Sequence, residues 1–161
     1  MSKMNLKNIK LIVTDVDGVL TDGGFYYTEE EILLKKFNVK DGMGFHLLRQ
    51  SGFLTGIITT DKTGFITERA KRIKPDFLIT GTWEKLTELK NQIKELNLTL
   101  ENVAYIGDDV NDLEIINAVG FSACPSDAVD AIKSKVDYVC KRKGGEGAFR
   151  EFADLIIGNK K

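Results

Sequence analysis

Residues 9–21 read Ile9-Lys10-Leu11-Ile12-Val13-Thr14-Asp15-Val16-Asp17-Gly18-Val19-Leu20-Thr21. The run over 9–13 is apolar and rich in β-branched residues, and it is brought to an end by Asp15. Such a run suits a strand buried on both faces, as in a parallel sheet, where polar alternation is not required. Working outward, residues 54–59, 77–79, 103–106, 121–123 and 136–139 read as further short strands. Between them lie helical patterns. Residues 63–74 form an amphipathic stretch halted by Pro75, and 83–96 carry apolar residues at 86, 89, 93 and 96. Further helices are expected over 111–118, over 126–133 with Ser126 as N-cap, and over 147–157. Strands alternating with helices predict an α/β fold with a doubly wound parallel sheet.

One segment breaks the alternation. Phe25-Tyr26-Tyr27 and residues 32–37 flank the polar Thr28-Glu29-Glu30-Glu31, a pattern that suits a β-hairpin flap. A two-stranded hairpin is marginal alone in water, so these aromatics are expected to pack on this domain or on another subunit. A helix over 42–51 follows and stops at Gly52, a candidate C′ glycine.

The chain has 161 residues, which suits one domain over 1–161 with a core that needs no disulfide or structural zinc. A net charge of -1 supplies no bulk positive field toward nucleic acid or a membrane surface. Cys124 and Cys140 lack metal or redox spacing and read as reduced, buried thiols. The N-terminal stretch MSKMNLKNIK is basic but has no apolar core of a signal peptide, so a cytoplasmic location is expected.

In a doubly wound sheet, ligands bind at the carboxyl ends of the strands. Asp15 and Asp17 follow the first strand, Thr59 ends the second, and Asp108, Asp109 and Asp112 follow the strand over 103–106. Carboxylates crowded into one crevice raise each other's pKa unless a cation joins them. Magnesium is the natural partner, a hard ion that takes oxygen ligands and keeps waters and phosphate oxygens in its shell. The Asp-x-Asp spacing says more, because residues i and i+2 of an extended segment share a side. One carboxylate can attack phosphorus while the other handles the proton of the leaving oxygen. Lys85 is the candidate cation for the phosphate.

These motifs resemble those of the haloacid dehalogenase superfamily. Asp15-Val16-Asp17-Gly18-Val19-Leu20-Thr21 is similar to its first motif, Thr59 to its second, Lys85 to its third and Gly107-Asp108-Asp109-Val110-Asn111-Asp112 to its fourth. Leu20-Thr21-Asp22-Gly23, Lys36-Phe37-Asn38-Val39-Lys40-Asp41-Gly42 and Gly144-Gly145-Glu146-Gly147-Ala148-Phe149-Arg150-Glu151 look like the capless branch. That branch holds the 3-deoxy-manno-octulosonate 8-phosphate (KDO 8-phosphate) phosphatases and relatives acting on nine-carbon keto-deoxy sugar acid 9-phosphates. The resemblance implies that Asp15 is the nucleophile and a Mg²⁺ ligand. Asp17 is implied as general acid/base with its backbone carbonyl on the metal, Asp108 and Asp109 as further metal residues, and Asp112 as support. Thr59, Thr60 and Lys85 are implied at the phosphoryl group.

The resemblance further implies a small-molecule partner, a sugar acid phosphate, and a homotetramer. Lys62, Arg69 and Arg150 are candidates for the substrate's other anionic groups. The second motif departs from the family pattern, reading Thr59-Thr60-Asp61-Lys62 where Gly-Arg or Gly-Glu commonly precedes the lysine. Asp61 removes a partner for a substrate carboxylate and keeps the nine-carbon substrate in view. A phosphomutase is disfavoured because no cap-sized insertion is present, and a non-catalytic oligomerisation module is disfavoured by the intact Asp15 and Asp17. His46 reads as an ordinary helix residue and Trp83 as a packing residue.

Overall fold

Leu11, Ile12 and Val13 are fully buried, as the apolar run requires. This computed structural model describes residues 6–160; residues 1–5 of the basic N-terminal stretch lie outside the described residues. In chain order the described strands are β1 (Leu11–Thr14), β2 (Tyr26–Tyr27), β3 (Ile32–Leu34), β4 (Leu54–Ile58), β5 (Phe77–Ile79), β6 (Val103–Ile106), β7 (Phe121–Cys124) and β8 (Tyr138–Val139). The helices are α1 (Val39–Gln50), α2 (Gly64–Ile73), α3 (Lys85–Glu95), α4 (Leu113–Ala118), α5 (Asp130–Lys133) and α6 (Ala148–Gly158).

Six strands form one sheet in the order β5-β4-β1-β6-β7-β8, and every pairing in it is parallel. Alternate side chains of β1 enter two separate cores. Leu11 and Val13 join Leu89, Ile93, Ile115 and Ile132, from α3, α4 and α5. Ile12 joins Leu48, Ile66, Phe149 and Phe152, from α1, α2 and α6. Phe45 stacks on Phe149 with centroids 4.3 Å apart, tying α1 to α6. The expected doubly wound α/β fold is therefore present, with helices on both faces.

Boundaries follow local chemistry. Asn38 caps α1 by accepting from the Lys40 N–H at 2.9 Å. Gly52 beyond its end has φ +79°, the left-handed conformation expected of a C′ glycine. Three local readings need correction. Ser126 does not cap α5: its N–H donates to the Arg142 carbonyl, a turn closes from Ala128 N to Pro125 O, and the helix starts only at Asp130. Likewise β8 is shorter than its apolar pattern, because the Val136 N–H closes α5 onto Ile132 O. Trp83 is not packed but 75% exposed, since α3 begins two residues later, at Lys85.

The hairpin is present, with Tyr26 opposite Leu34 and Tyr27 opposite Ile32. Thr28 closes its turn, its N–H donating to Glu31 O at 2.8 Å. The base is held by an antiparallel bridge between Thr21 and Phe37. Tyr26, Tyr27, Leu33 and Leu34 are exposed, on both faces of the hairpin. Cys124 and Cys140 are free and buried, and burial pushes the Cys124 thiol up to about 11, so both sit as inert packing residues. Among the described residues, no helix is long and apolar enough to cross a membrane.

Candidate active site

β1 lies between β4 and β6, so the loops leaving their carboxyl ends meet. Asp15 follows β1 and is 4% exposed, with its N–H donating to Ile106 O on β6 at 3.1 Å. Beyond it, the N–H groups of Val19, Leu20 and Thr21 all converge on Val16 O, which wraps residues 16–21 into a tight loop. Gly18 makes this turn possible with φ +85°. Its bare Cα backs onto Asp108: a Cβ there would lie 1.9 Å from Asp108 Oδ2.

A buried network orders the acids. Lys85, at the start of α3, places Nζ 3.0 Å from Asp15 Oδ1 and 2.6 Å from Asp112 Oδ1. The Tyr105 hydroxyl donates to Asp112 Oδ1 at 2.6 Å, and the Asp108 N–H donates to Asp112 Oδ2 at 3.0 Å. Asp112 is thus surrounded by donors, which suits an orienting role. Burial holds the Tyr105 phenol well above its ordinary pKa, with the Asp112 charge adding to it, so the ring stays a donor.

Asp15, Asp108 and Asp112 each bring a carboxylate oxygen within 4.8 Å of the others. Burial raises the Asp15 carboxyl, and the Asp112 charge raises it further. Asp108 is raised by burial and then by Asp15. Burial would lower Lys85, but the charges of Asp15 and Asp112 outweigh it and keep the ammonium protonated. One lysine leaves this cluster short of positive charge. Hard, convergent oxygen donors in that state fit a magnesium ion.

The acids open into a cavity of about 240 Å³ whose wall includes Asp15, Asp17, Asp108 and Asp109, with Thr60 on one side and Phe25 of the flap on another. Thr21 Oγ1 donates to Asp17 Oδ1 at 3.2 Å and so helps set that carboxylate. The segment 144–147 braces the loop from behind. Gly145 N–H donates to Val19 O at 2.9 Å, and a Cβ on Gly144 would lie 1.8 Å from Gly18 O. No other residue type fits at that approach.

Comparison with known proteins agrees with this geometry. Residues 62–151 match the haloacid dehalogenase-like hydrolase family. The chain is 36% identical to the 3-deoxy-D-manno-octulosonate 8-phosphate phosphatase of Haemophilus influenzae, over 96% of this chain and 86% of that protein. The chain belongs to the KDO 8-phosphate phosphatase family. The family's counterpart in Escherichia coli strain K12 is 37% identical over 94% of this chain and 80% of its own length. A KDO 8-phosphate phosphatase from Moraxella catarrhalis, solved with magnesium ion, phosphate ion and KDO, superposes with TM-score 0.91 at 38% identity, covering 95% of this chain and 88% of that one. The cobalt-bound Haemophilus influenzae enzyme superposes with TM-score 0.92 at 36% identity, covering 96% and 91%.

Within this KDO 8-phosphate phosphatase fold, the expected site residues fall into two groups. Asp15, Asp17, Thr60, Asp108 and Asp109 line the pocket, and Lys85 and Asp112 lie buried against it. Thr59 is buried, and its hydroxyl accepts from the Asp61 N–H at 3.1 Å. Asp109 turns its carboxylate to the adjacent Val110 N–H at 2.7 Å, so Asp112 is the third member of the close cluster. Lys62, Arg69 and Arg150 stand outside the pocket wall of this chain. Lys62 is exposed. Arg69 donates to Asn38 O at 3.1 Å and covers the Phe37 ring. Arg150 pairs with Asp154 at 2.9 Å beside a larger hollow of about 710 Å³ that none of the clustered acids lines.

Two neighbours of the site were not legible in advance. Tyr105 sits in an apolar strand, and only its hydroxyl marks it out. Lys35 lies in a strand-like run, yet its side chain is 1% exposed and bonds Asp17 Oδ2 at 2.7 Å. The alternation of Leu33, Lys35 and Phe37 on one side of an extended segment is the signal that could have found it.

Proposed function

We propose that the protein is a magnesium-dependent phosphatase that hydrolyses a phosphorylated 2-keto-3-deoxy sugar acid, KDO 8-phosphate first among them, through an aspartyl-phosphate on Asp15. The observation that carries this is the pairing of Asp15 with Lys85 beneath a pocket that Asp17 also lines. Asp15 attacks phosphorus, and Asp17 protonates the departing sugar oxygen. Asp17 then takes the proton of the water that cleaves the acyl phosphate. Thr59, Thr60 and Lys85 hold the phosphoryl oxygens, and Lys85 balances charge where phosphoryl transfer is stabilised mostly electrostatically. Asp15, Asp108 and the Asp17 carbonyl would hold Mg²⁺, with Asp109 at the rim and Asp112 orienting the set. When bound, the ion supplies charge neutralisation at the phosphate oxygens.

The Moraxella catarrhalis structure with KDO and the similarity to the named phosphatases support the eight-carbon substrate. Asp61 does not favour the nine-carbon alternative, because its carboxylate is spent on Lys35 and Thr63. Lys62, Arg69 and Arg150 remain the candidates for the substrate's carboxylate if a second subunit brings them to a neighbour's pocket. The exposed Tyr26, Tyr27, Leu33 and Leu34 support contact with a further subunit, four copies being what the family resemblance implies, and we place this single-domain enzyme in the cytoplasm.

The test is phosphate release, with and without Mg²⁺, from KDO 8-phosphate, a nine-carbon 9-phosphate and hexose phosphates. The highest kcat/KM is expected on KDO 8-phosphate. Hexose phosphates matching both sugar acids would overturn the substrate class, and no release from any ester would favour a non-catalytic module.

A further inference from the structure

Lys35 stands just beyond β3, at the foot of the hairpin, and no part of it lines the pocket. Its ammonium lies 2.7 Å from Asp17 Oδ2 and 2.5 Å from Asp61 Oδ2, and 4.6 Å from the centre of the Phe25 ring. Two carboxylates take two of its three donors and the Phe25 ring covers it, so a side chain already engaged from two sides and absent from the pocket wall is not placed to bind substrate. Asp61 is equally committed. Its Oδ1 accepts from Thr63 N–H at 2.9 Å, and its Oδ2 also accepts from Thr63 Oγ1 at 2.6 Å. Its own N–H donates to Thr59 Oγ1.

We propose that Lys35 and Asp61 are positioning residues for the reaction: a buried ion pair that latches the β2–β3 hairpin onto the loop after β4 and fixes the Asp17 carboxylate at the pocket wall. The inference rests on the reading of Asp17 as acid/base given above. Three segments far apart in sequence meet at one ammonium, 18 residues from Asp17 and 26 from Asp61. The hairpin has two short strands and would be marginal alone, so what ties it down decides where it sits. Phe25, which walls the pocket, lies over the same ammonium. Releasing Lys35 therefore loosens the wall and the acid together. A plainer role for Asp61 is to hold the Thr63 turn before α2. In that role Lys35 would be a bystander, and changing either residue would affect stability without selecting among substrates.

The chemistry separates the two. An alkyl ester needs its leaving oxygen protonated, whereas p-nitrophenyl phosphate releases a stable phenolate that needs little help from an acid. We would measure kcat/KM for both esters in the wild type and in Asp61→Asn, Lys35→Met and the double variant. Asp61→Asn is nearly isosteric and keeps an oxygen for the Thr63 N–H, so it tests the latch even if Lys35→Met folds poorly. Loss of positioning is expected to cost Lys35→Met about 100-fold on KDO 8-phosphate. The loss on the aryl ester should be much smaller, and the double variant no worse than Lys35→Met alone. Amide hydrogen exchange over residues 24–36 should speed up in both single variants. Equal losses on the two esters, or losses that multiply in the double variant, would overturn the latch. Turnover surviving in Asp17→Asn would instead sink the acid/base reading. If the wild type hydrolyses neither ester, hairpin exchange unchanged from wild type still overturns the latch, and accelerated exchange upholds it as a tether.

Discussion

Gly18 and Asp108 are packed so closely that a methyl group on the first would overlap the carboxylate of the second, with a Cβ-to-Oδ2 separation of 1.9 Å. The glycine also holds φ +85°, which costs an L-residue about 1–3 kcal/mol. Gly18→Ala is therefore expected to push Asp108 out of the cluster. Activity should fall about 100-fold, and apparent Mg²⁺ affinity should fall with it. Titration calorimetry with Mg²⁺ and steady-state kinetics check this; wild-type metal affinity would show that Asp108 tolerates the displacement.

Asp15→Asn separates chemistry from folding. The amide keeps the shape of the carboxylate but is a poor nucleophile and ligand. Phosphatase activity is expected to drop below detection. Without Mg²⁺, the thermal midpoint should not fall, because a buried carboxylate raised by its own burial and by Asp112 is removed while Lys85 keeps Asp112 as its partner. Wild-type enzyme in excess EDTA should be inactive as well. Retention of a few per cent of turnover in Asp15→Asn would move the nucleophile elsewhere.

Asp41, which is not part of the acid cluster, supplies a separate pH signature. It lies in the first turn of α1, is 2% exposed, and accepts from the Arg150 N–H at the start of α6 at 3.0 Å. Its Oδ2 has no hydrogen-bond partner among the described residues. Burial raises this carboxyl to about 6 from an ordinary 3.8. The folded state thus holds the proton more tightly than the unfolded chain. The stabilisation is complete below the ordinary value and is lost as pH rises through the folded one. Asp41→Asn should accordingly gain on the wild type in denaturant midpoint between about pH 4 and pH 6, with a flat difference above that window. A difference independent of pH would mean that the carboxyl is already ionised throughout.

The parallel sheet was legible because strands buried on both faces are written as unbroken apolar runs, of which Leu11-Ile12-Val13 is the clearest. Asp15 and Asp108 were legible for the same reason: each follows such a run and must sit at its carboxyl end. What escaped depends on contacts between distant segments. The side chains of Lys85 and Asp112 meet across 27 residues, and Lys35 meets Asp61 across 26. Ser126 has the chemistry of a helix cap, yet a turn from Ala128 N to Pro125 O intervenes and α5 starts only at Asp130, so no helical N–H lies where its hydroxyl could accept, while its own N–H is tied to the Arg142 carbonyl, a tertiary bond that local preference does not encode. Trp83 carries the composition of a core residue but precedes the helix, so no face of α3 can bury it.

Tyr26 and Tyr27 are 55% and 64% exposed, and Leu33 and Leu34 are 51% and 53% exposed, all on one short hairpin. Water contact on so much apolar surface is unfavourable, at about 25 cal/mol per Å². A neighbouring subunit on this surface would remove it from water and add to a pocket wall that the hairpin segment supplies here through Gly23 and Phe25. Light scattering at micromolar concentration is expected to give a multiple of the 18.0 kDa chain mass, with four copies as our reading. Tyr26→Asp combined with Leu34→Lys puts charges at two exposed positions that face each other across the hairpin and spares Tyr27, whose ring packs edge-on against Phe25, so the fold and the pocket wall should survive while the assembly dissociates. KM should then rise more than kcat falls, because the dissociated chain keeps its Asp15, Asp17 and Lys85 but loses the neighbour's contribution to holding the substrate. A wild-type monomer, or a dissociated variant with unchanged KM, would show that each chain completes its pocket alone.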